Sequence, residues 1–316
     1  MKLLRGNQSL AAFDKGVAAT IGNFDGVHLG HQKLIKALKI KANQLNIPLV
    51  VILFEPQPRE FFQKNTAPVR ISSLREKLEI LKSCDVDYVY CIKFDDTFAK
   101  TSAKDFARNY LFTLMKVKYL LIGADFRFGI NREGTFSLLQ EQALFYNAEV
   151  QVAPDFLVAQ EKVSSTQIRK AFVCGNLDLA AKCLGRPYSL CGKVIYGDGR
   201  GRQWGIPTAN INLQKRPLPL HGVFVVRIKI DFKAYYGVAN LGKRPTVDGS
   251  KNSLEVHLFE FEQQIYGKMI QVFFLHKLRD EIKFSAIDAL IAQIHNDFKE
   301  AKIFLKSLQL KDLTSG

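Results

Sequence analysis

Two histidines close the stretch Thr20-Ile-Gly-Asn-Phe-Asp-Gly-Val-His-Leu-Gly-His31, and their spacing is chemically suggestive. The stretch leaves an apolar strand, passes glycines and enters a helix. Gly22, Gly26 and Gly30 let backbone approach a bulky ligand closely, and a helix amino end favours negative charge. Being three apart, His28 and His31 both project from the first helical turn toward one point. Two imidazoles beside exposed backbone N–H groups suit stabilising the charge that develops on a polyphosphate under attack, with no covalent nucleophile. A zinc pair is the other reading, although no third ligand stands at a convincing spacing. Further on, Ser164, Ser165 and Thr166 precede a helical stretch with Arg169 one turn in. Hydroxyls and N–H groups there can cap the helix or bind phosphate, and Arg169 can clamp phosphate oxygens. An ordinary N-cap with a surface arginine is the alternative.

A second constellation spans Tyr196-Gly-Asp-Gly-Arg-Gly-Arg-Gln-Trp-Gly-Ile-Pro-Thr-Ala-Asn210. It lacks the Gly-Lys-Ser/Thr of a Walker loop and the glycine spacing of a dinucleotide fold. What remains is a flexible basic loop, with Gly197, Gly199, Gly201 and Gly205, able to wrap a phosphate chain with its N–H groups. Thr208 and Asn210, two apart, point to the same side of an extended segment. A hydroxyl and an amide oxygen are hard, neutral ligands suited to Mg²⁺ held mainly by nucleotide phosphates. A plain hairpin loop is the alternative. In Leu254–Phe261, Val256 and Leu258 face one way on a strand while Glu255 and His257 face the other. Glu255 can accept a proton from an attacking hydroxyl, or be no more than an exposed strand glutamate.

The elements that must position these groups change character near residue 185. Val17–Phe24 reads as an apolar strand running into Asp25-Gly26, a turn signal. From Gly30, Leu34, Ile35, Leu38 and Leu45 fall near helical spacing, broken at Pro48. Leu49–Phe54 suits a strand buried on both faces, and Pro56 and Pro58 stiffen the loop that leaves it. Leu74–Leu81 is helical, Tyr88–Ile92 strand-like, Ala103–Met115 helical and Tyr119–Ile122 strand-like. This alternation implies a doubly wound parallel sheet with its ligand at the carboxyl ends of the strands. After two short helices, at about Thr166–Cys174 and Leu177–Leu184, turn-punctuated strands follow: Leu190–Tyr196, Gly222–Ile230, Ala234–Leu241, Leu254–Phe261 and Met269–Leu275. They suggest a small antiparallel barrel. Ser285 is placed to cap a final amphipathic helix with Asp288 three residues on, and Ile287, Leu290, Ile291, Ile294, Phe298 and Leu305 form its apolar stripe. The expected domains are residues 1–184, α/β, and residues 185–316, β with a closing helix.

Composition narrows the function classes. With 47% hydrophobic and 24% charged residues the chain is not intrinsically disordered. Its longest apolar run, Pro48–Phe54, is far short of the ~18 residues that span a bilayer. Met1-Lys-Leu-Leu-Arg-Gly-Asn has no apolar core and no cleavage site of a secretory signal. The net charge of +15 invites a nucleic-acid reading, but it is spread evenly, with 25 basic against 18 acidic residues in 1–184 and 20 against 12 in 185–316. No block of like charge appears, and polyanionic small substrates also favour Lys and Arg. The odd number of cysteines, five without C-x-x-C spacing, points to a reducing cytoplasm.

Asn23-Phe-Asp-Gly-Val-His-Leu-Gly-His31 resembles the signature of the H-x-G-H nucleotidyltransferase superfamily. In its full G-x-F-D-G-x-H-x-G-H form it resembles the FMN adenylyltransferase module of bacterial bifunctional riboflavin kinase/FAD synthetases. Phe54-Glu-Pro-Gln-Pro-Arg-Glu-Phe-Phe62, Gly123-Ala-Asp-Phe-Arg-Phe-Gly129 and Val163-Ser-Ser-Thr-Gln-Ile-Arg169 match three further segments of that module, the last with Val for the first Ile. From residue 185 to about 300 the chain is similar to riboflavin kinase, through Pro207-Thr-Ala-Asn210, Tyr236–Thr246, Glu255–Phe261, Tyr266-Gly267 and Leu278–Phe284. Trp204 and Glu260 depart from the family's usual smaller aliphatic and Asp.

The resemblance implies phosphorylation of riboflavin by ATP to FMN in the carboxyl-terminal domain, then adenylylation of FMN to FAD in the amino-terminal one. It assigns Gly22, Asn23, Phe24, His28, His31, Ser164, Ser165 and Arg169 to an ATP site, with Asp125 near it and Pro56 and Pro58 toward the flavin. In the kinase it gives Thr208 and Asn210 to Mg²⁺–ATP, Glu255 as base for the ribityl 5′-hydroxyl, and Arg279 and Glu281 to the flavin side. The implied partners are riboflavin, FMN and ATP, without nucleic acid or membrane, in a cytoplasmic protein with oligomerisation open. The rivals are a nucleotidyltransferase of the same fold acting on another substrate, such as pantetheine-phosphate or choline-phosphate, and a non-catalytic nucleic-acid-binding protein.

Overall fold

The computed structural model describes residues 1–6, 13–64, 66–158, 160–197, 199–213, 217–246 and 249–314. Compactness divides the chain into Met1–Pro68 with Ser72–Ser165, and Val69–Ile71 with Thr166–Gly316.

In the first unit six strands, β1 (Lys2–Leu4), β2 (Val17–Ile21), β3 (Leu49–Glu55), β4 (Tyr88–Lys93), β5 (Val117–Gly123) and β6 (Glu149–Ala153), form one sheet in the order β1-β4-β3-β2-β5-β6. All five pairings are parallel. Alternate residues serve opposite cores: Val50, Ile52 and Phe54 pack on one face, Leu49, Val51 and Leu53 on the other. This is why the run reads as continuously apolar. Helix Leu29–Leu45 and helix Leu74–Ser83 cover one face through Ile35, Leu38 and Leu81, and residues 106–143 supply the other through Phe106, Leu111, Phe112, Leu139 and Ala143. The order reverses at β2, which pairs with both β3 and β5, so the loops leaving β2 and β5 lie at the switch point where such sheets take ligands. A two-stranded hairpin, β7 (Leu157–Val158) with β8 (Glu161–Lys162), follows the sheet.

Three local findings differ from the periodicity. Helix Leu29–Leu45 ends before Pro48, because Asn46 turns left-handed and donates to the Asn43 carbonyl. The helix expected over Ala103–Met115 is α-helical only to Asp105 and continues as a π-helix, Phe106–Leu114, closed by Met115 N–H donating to the Tyr110 carbonyl. Edge strands β1 and β6 and helix Phe136–Leu144 carry too short or too polar a pattern to have stood out.

The second unit begins with helix Ser165–Val173, from Thr166 on, and helix Leu177–Leu184, the latter N-capped by Asn176 and ended by left-handed Gly185. Strands β9 (Ser189–Ile195), β10 (Ala209–Asn212), β11 (Gly222–Ile230), β12 (Lys233–Thr246), β13 (Gly249–Leu258) and β14 (Met269–Arg279) then close an antiparallel barrel in the order β10-β13-β12-β11-β14-β9. Helix Ile287–Thr314 packs on it through Ala301, Phe298, Phe304 and Leu305 against Val223, Val225 and Val238. Its cap is not Ser285: the helix starts at Ile287, and Leu290 N–H donates to the Ala286 carbonyl. Ile287 is exposed rather than part of the packed stripe, since it precedes the first turn that meets the barrel. Among the described residues no helix is long and apolar enough to cross a membrane.

Candidate active sites

The loop leaving β2 is built around left-handed turns. Phe24 (φ +45°), Gly26 (φ +79°) and Val27 (φ +40°) all lie in that region, and a β-branched residue there is an outlier that its surroundings must enforce. They do so from several sides. Gly26 N–H donates to Ser72 Oγ, Ser72 N–H to Asp25 Oδ1, Ser165 Oγ to the Asp25 carbonyl and Lys77 Nζ to the Asn23 carbonyl. Phe24, Asp25 and Val27 are buried.

The two imidazoles come together as the spacing requires, by stacking. His28 is the N-cap of helix Leu29–Leu45, one residue before its first turn, and its ring lies 3.7 Å from that of His31 at 18°. His31 also packs on the Phe24 ring at 4.6 Å. The glycines serve this stack: a Cβ at Gly30 would lie 3.2 Å from the His28 ring, and one at Gly22 3.2 Å from the Phe24 ring. Only Gly26 is required by its backbone angle. His31 Nδ1 is buried with no hydrogen-bond partner among the described residues, a donor or acceptor left for a ligand. Burial pushes the His31 imidazole well below the ordinary histidine range, and His28 and Lys77 add to it. Among the described residues no three or more His, Cys, Asp or Glu gather to hold a metal.

The other residues assigned to this site are placed less uniformly. Ser165 opens its helix and spends its hydroxyl on the Asp25 carbonyl, so it ties the helix start to the loop instead of capping itself. Asp125, in the turn after β5, is exposed and paired with Lys162 at 2.8 Å; that hydrogen bond and charge hold its carboxyl below the usual range. Ser164 is half-buried. Arg169, in the second unit, donates from Nε to the Val69 carbonyl at 2.6 Å. Pro58 is the first residue of helix Pro58–Gln63 rather than a loop residue, and Gln57 and Glu60 form a capping box around it. Gln57 Nε2 is buried and has no partner among the described residues. Beside Pro56 and Pro58 stands an aromatic wall that sequence reasoning missed. Phe54 meets Phe94 and Phe98 at 5.9 and 5.7 Å, Phe61 and Phe62 meet Phe94 at 5.3 and 5.7 Å, and Phe62 is 65% exposed. The clustering of Phe in Phe54–Phe62 and Phe94–Phe98 was its only signal.

In the second unit most of the barrel residues singled out line one cavity of about 540 Å³: Gly199, Gly201, Thr208, Asn210, Glu255, Arg279 and Glu281. Strand register explains the convergence. Glu255 on β13 pairs with Asn210 on β10 and with Asn240 on β12, so the three side chains form a row across neighbouring strands. Leu254, Val256 and Leu258 are buried on the opposite face, as the alternation requires. Ser253 Oγ donates to Glu255 Oε1 at 3.3 Å. Asn240 was missed; a lone amide in the apolar run of β12 was the sign.

Within the glycine loop Arg200–Gln203 make a short helical turn. Gly199 and Gly205 supply left-handed bends at φ +71° and +73°. Gly197 lies against the Asn210 amide and Gly201 against the Ile206 carbonyl, where side chains would collide. Gly205 does not line the cavity. His257, which the alternation puts on the Glu255 face but gives no role, holds the Pro207 carbonyl through Nδ1 at 2.9 Å and stacks on Phe298 at 4.4 Å, so the loop and the closing helix meet on one ring. Arg279 forms a bidentate pair with Asp297, 3% exposed, at 2.9 and 2.8 Å, and acts as a strut between β14 and the closing helix. Glu281 packs directly on Gly242, a seat that only glycine leaves open. Thr208 and Asn210 present neutral oxygens to the cavity. That donor set fits a hard cation carried by phosphates and is too small to cage one alone.

A sheet with imidazoles at its switch point and a barrel holding a carboxylate among neutral side-chain oxygens fit a two-unit enzyme of phosphoryl and nucleotidyl transfer. The family model for FAD synthetase matches residues 10–167, and the one for riboflavin kinase matches residues 184–305. The bifunctional riboflavin kinase/FMN adenylyltransferase of Haemophilus influenzae is 45% identical over 308 residues, 97% of this chain and 100% of that protein. Its namesake in Escherichia coli K12 is 44% identical over 306 residues, covering 96% and 98%. The crystal structure of a macrolide-efflux protein from Streptococcus pneumoniae matches with a TM-score of 0.79 at 32% identity, covering 93% of this chain and 97% of that one. The chain belongs to the bifunctional riboflavin kinase/FMN adenylyltransferase family.

Proposed function

We propose that the barrel cavity phosphorylates riboflavin with ATP to give FMN, and that the loop after β2 adenylylates FMN with a second ATP to give FAD. The observation that carries this reading is the stacked His28–His31 pair on the loop after β2 in one unit, with a barrel cavity lined by Thr208, Asn210 and Glu255 in the other. We keep residues 1–184 and 185–316 as the functional division, in line with the segments the two family models match.

In the kinase step the ribityl 5′-hydroxyl attacks the γ-phosphorus, its proton passes to Glu255, and ADP leaves. Thr208 and Asn210 would hold Mg²⁺–ATP, and the cation would supply charge neutralisation to the phosphates there. Gly197, Gly199, Gly201 and Gly205 shape the loop over the phosphates. Glu281 faces the flavin, and Arg279 keeps the segment carrying it in place. In the adenylyl step an FMN phosphate oxygen attacks the α-phosphorus, the α–β bond breaks and pyrophosphate departs. His28, His31 and the loop N–H groups of Asn23 and Phe24 stabilise the charge; Gly22, whose N–H is held by the Ile52 carbonyl, keeps the loop close to the nucleotide, and Ser164, Ser165 and Asp125 complete the site. Pro56, Pro58 and the edge-packed Phe cluster offer the isoalloxazine an apolar surface, and Gln57 Nε2 a buried donor. The cytoplasm, where ATP and riboflavin meet, is the proposed place of this work.

Chromatography of products from riboflavin, Mg²⁺ and ATP over time tests the scheme. FMN should rise first and FAD follow. FAD without intervening FMN, or no flavin turnover, would overturn it.

A further inference from the structure

Helix Leu74–Ser83 buries a lysine. Lys77 is 1% exposed, and its ammonium donates to the Asn23 carbonyl at 2.5 Å. An ammonium withdrawn from water needs strong acceptors, and this one meets a backbone oxygen two residues beyond β2. The Asn23 carbonyl and the Phe24 N–H share one peptide plane. Among the described residues the only cis bond is Glu55–Pro56, so in the Asn23–Phe24 peptide these two groups point in opposite directions. Binding the carbonyl to Lys77 therefore sets the direction of the Phe24 N–H, which makes no hydrogen bond among the described residues. Phe24 is itself held left-handed, 2% exposed, with its ring on His31.

We infer that Lys77 is a positioning residue for adenylyl transfer: it turns the Asn23–Phe24 peptide so that the Phe24 N–H is presented to ATP phosphate on the loop that carries His28 and His31. The inference rests on the reading of that loop as the adenylyl site. A donor oriented before the nucleotide arrives needs no reorganisation when charge develops. The ammonium also adds positive potential at His31, consistent with its part in depressing that imidazole.

The test uses the full chain carrying Lys77→Met, with FAD formation from supplied FMN followed at varied ATP and varied FMN. FMN formation from riboflavin by the same preparation serves as the internal control. The expected result is a kcat for FAD formation lower by about 10²-fold and a raised KM for ATP, with the KM for FMN and the kinase rate each within about twofold. Unchanged FAD formation would overturn the inference, and so would a joint rise of both KM values with loss of the amino-terminal melting transition, the mark of a purely structural lysine. Should Lys77→Met fail to fold, Lys77→Arg is judged by the same split between ATP and FMN. A His28→Ala/His31→Ala chain run in parallel separates the two levels. If that chain still makes FAD, the site reading fails; if it does not while Lys77→Met works at the wild-type rate, the inference about Lys77 fails alone.

Discussion

In the sheet unit the side chains of the candidate site are two imidazoles stacked on each other and on Phe24, inside a turn held at left-handed angles among buried hydrogen bonds. In the barrel they are Asn210, Glu255 and Asn240, standing at regular positions on three adjacent strands that face one cavity. On the proposed reading, the difference follows from the nucleophile each site must activate. A ribityl hydroxyl carries a proton that has to be removed, so the barrel needs a carboxylate base. The phosphate of FMN, a monoester with a second pKa of about 6, arrives already ionised. The sheet site then needs donors and a fixed shape more than a base, and a strained, pre-formed turn provides both.

The sharpest way to break this comparison is His28→Ala with His31→Ala. FAD formation from supplied FMN should fall by about 10³-fold while FMN formation continues at its normal rate. Next comes Glu255→Gln, which should slow FMN formation by about 10²-fold or more and leave adenylylation of supplied FMN intact. If either change damaged both activities equally in a folded protein, the assignment of two sites would be wrong.

Asp297→Ala would strip Arg279 of its bidentate partner and leave a cation beside a largely buried position. It should lower barrel stability by about 3 kcal/mol in urea unfolding, with the FAD-forming rate unaffected at low temperature. Asn210→Ala should raise the Mg²⁺ concentration needed for half-maximal FMN formation by about tenfold, the effect of losing one contact of about 1.5 kcal/mol to a charged group.

The smallest effect expected is on pH dependence. His31 is depressed in the folded state, so below about pH 6.5 the unfolded chain holds a proton that the native chain lacks. Stability of the amino-terminal unit should therefore fall as pH drops through that value, down to the folded pKa of His31. In His31→Gln that part of the slope should vanish; an unaltered slope would mean that His31 is not the group held neutral.

Much of this was legible because it is local. The 2-residue alternation in Leu254–Phe261 put Glu255 and His257 on one face, and the three-residue spacing of His28 and His31 brought their rings together. The continuous apolar run of β3 announced a strand buried on both sides. Where a feature depended on distant chain, the reading stopped. Ser165 looks like a helix cap but bonds to the Asp25 carbonyl, 140 residues away. Arg279 lines the cavity, but no local pattern tells that its guanidinium is bound to Asp297 on the closing helix.

By itself, then, the order of residues determined the two architectures, the sequence of motifs and the type of chemistry each motif can support, since periodicity and side-chain reactivity are properties of short segments. Only the tertiary structure decided that Asn240 joins Asn210 and Glu255, that Phe54, Phe61, Phe62 and Phe94 make a wall, and that Lys77 reaches Asn23 from a separate helix. Register between strands and the depth at which a charge is buried arise when remote segments pack, and no local pattern records them.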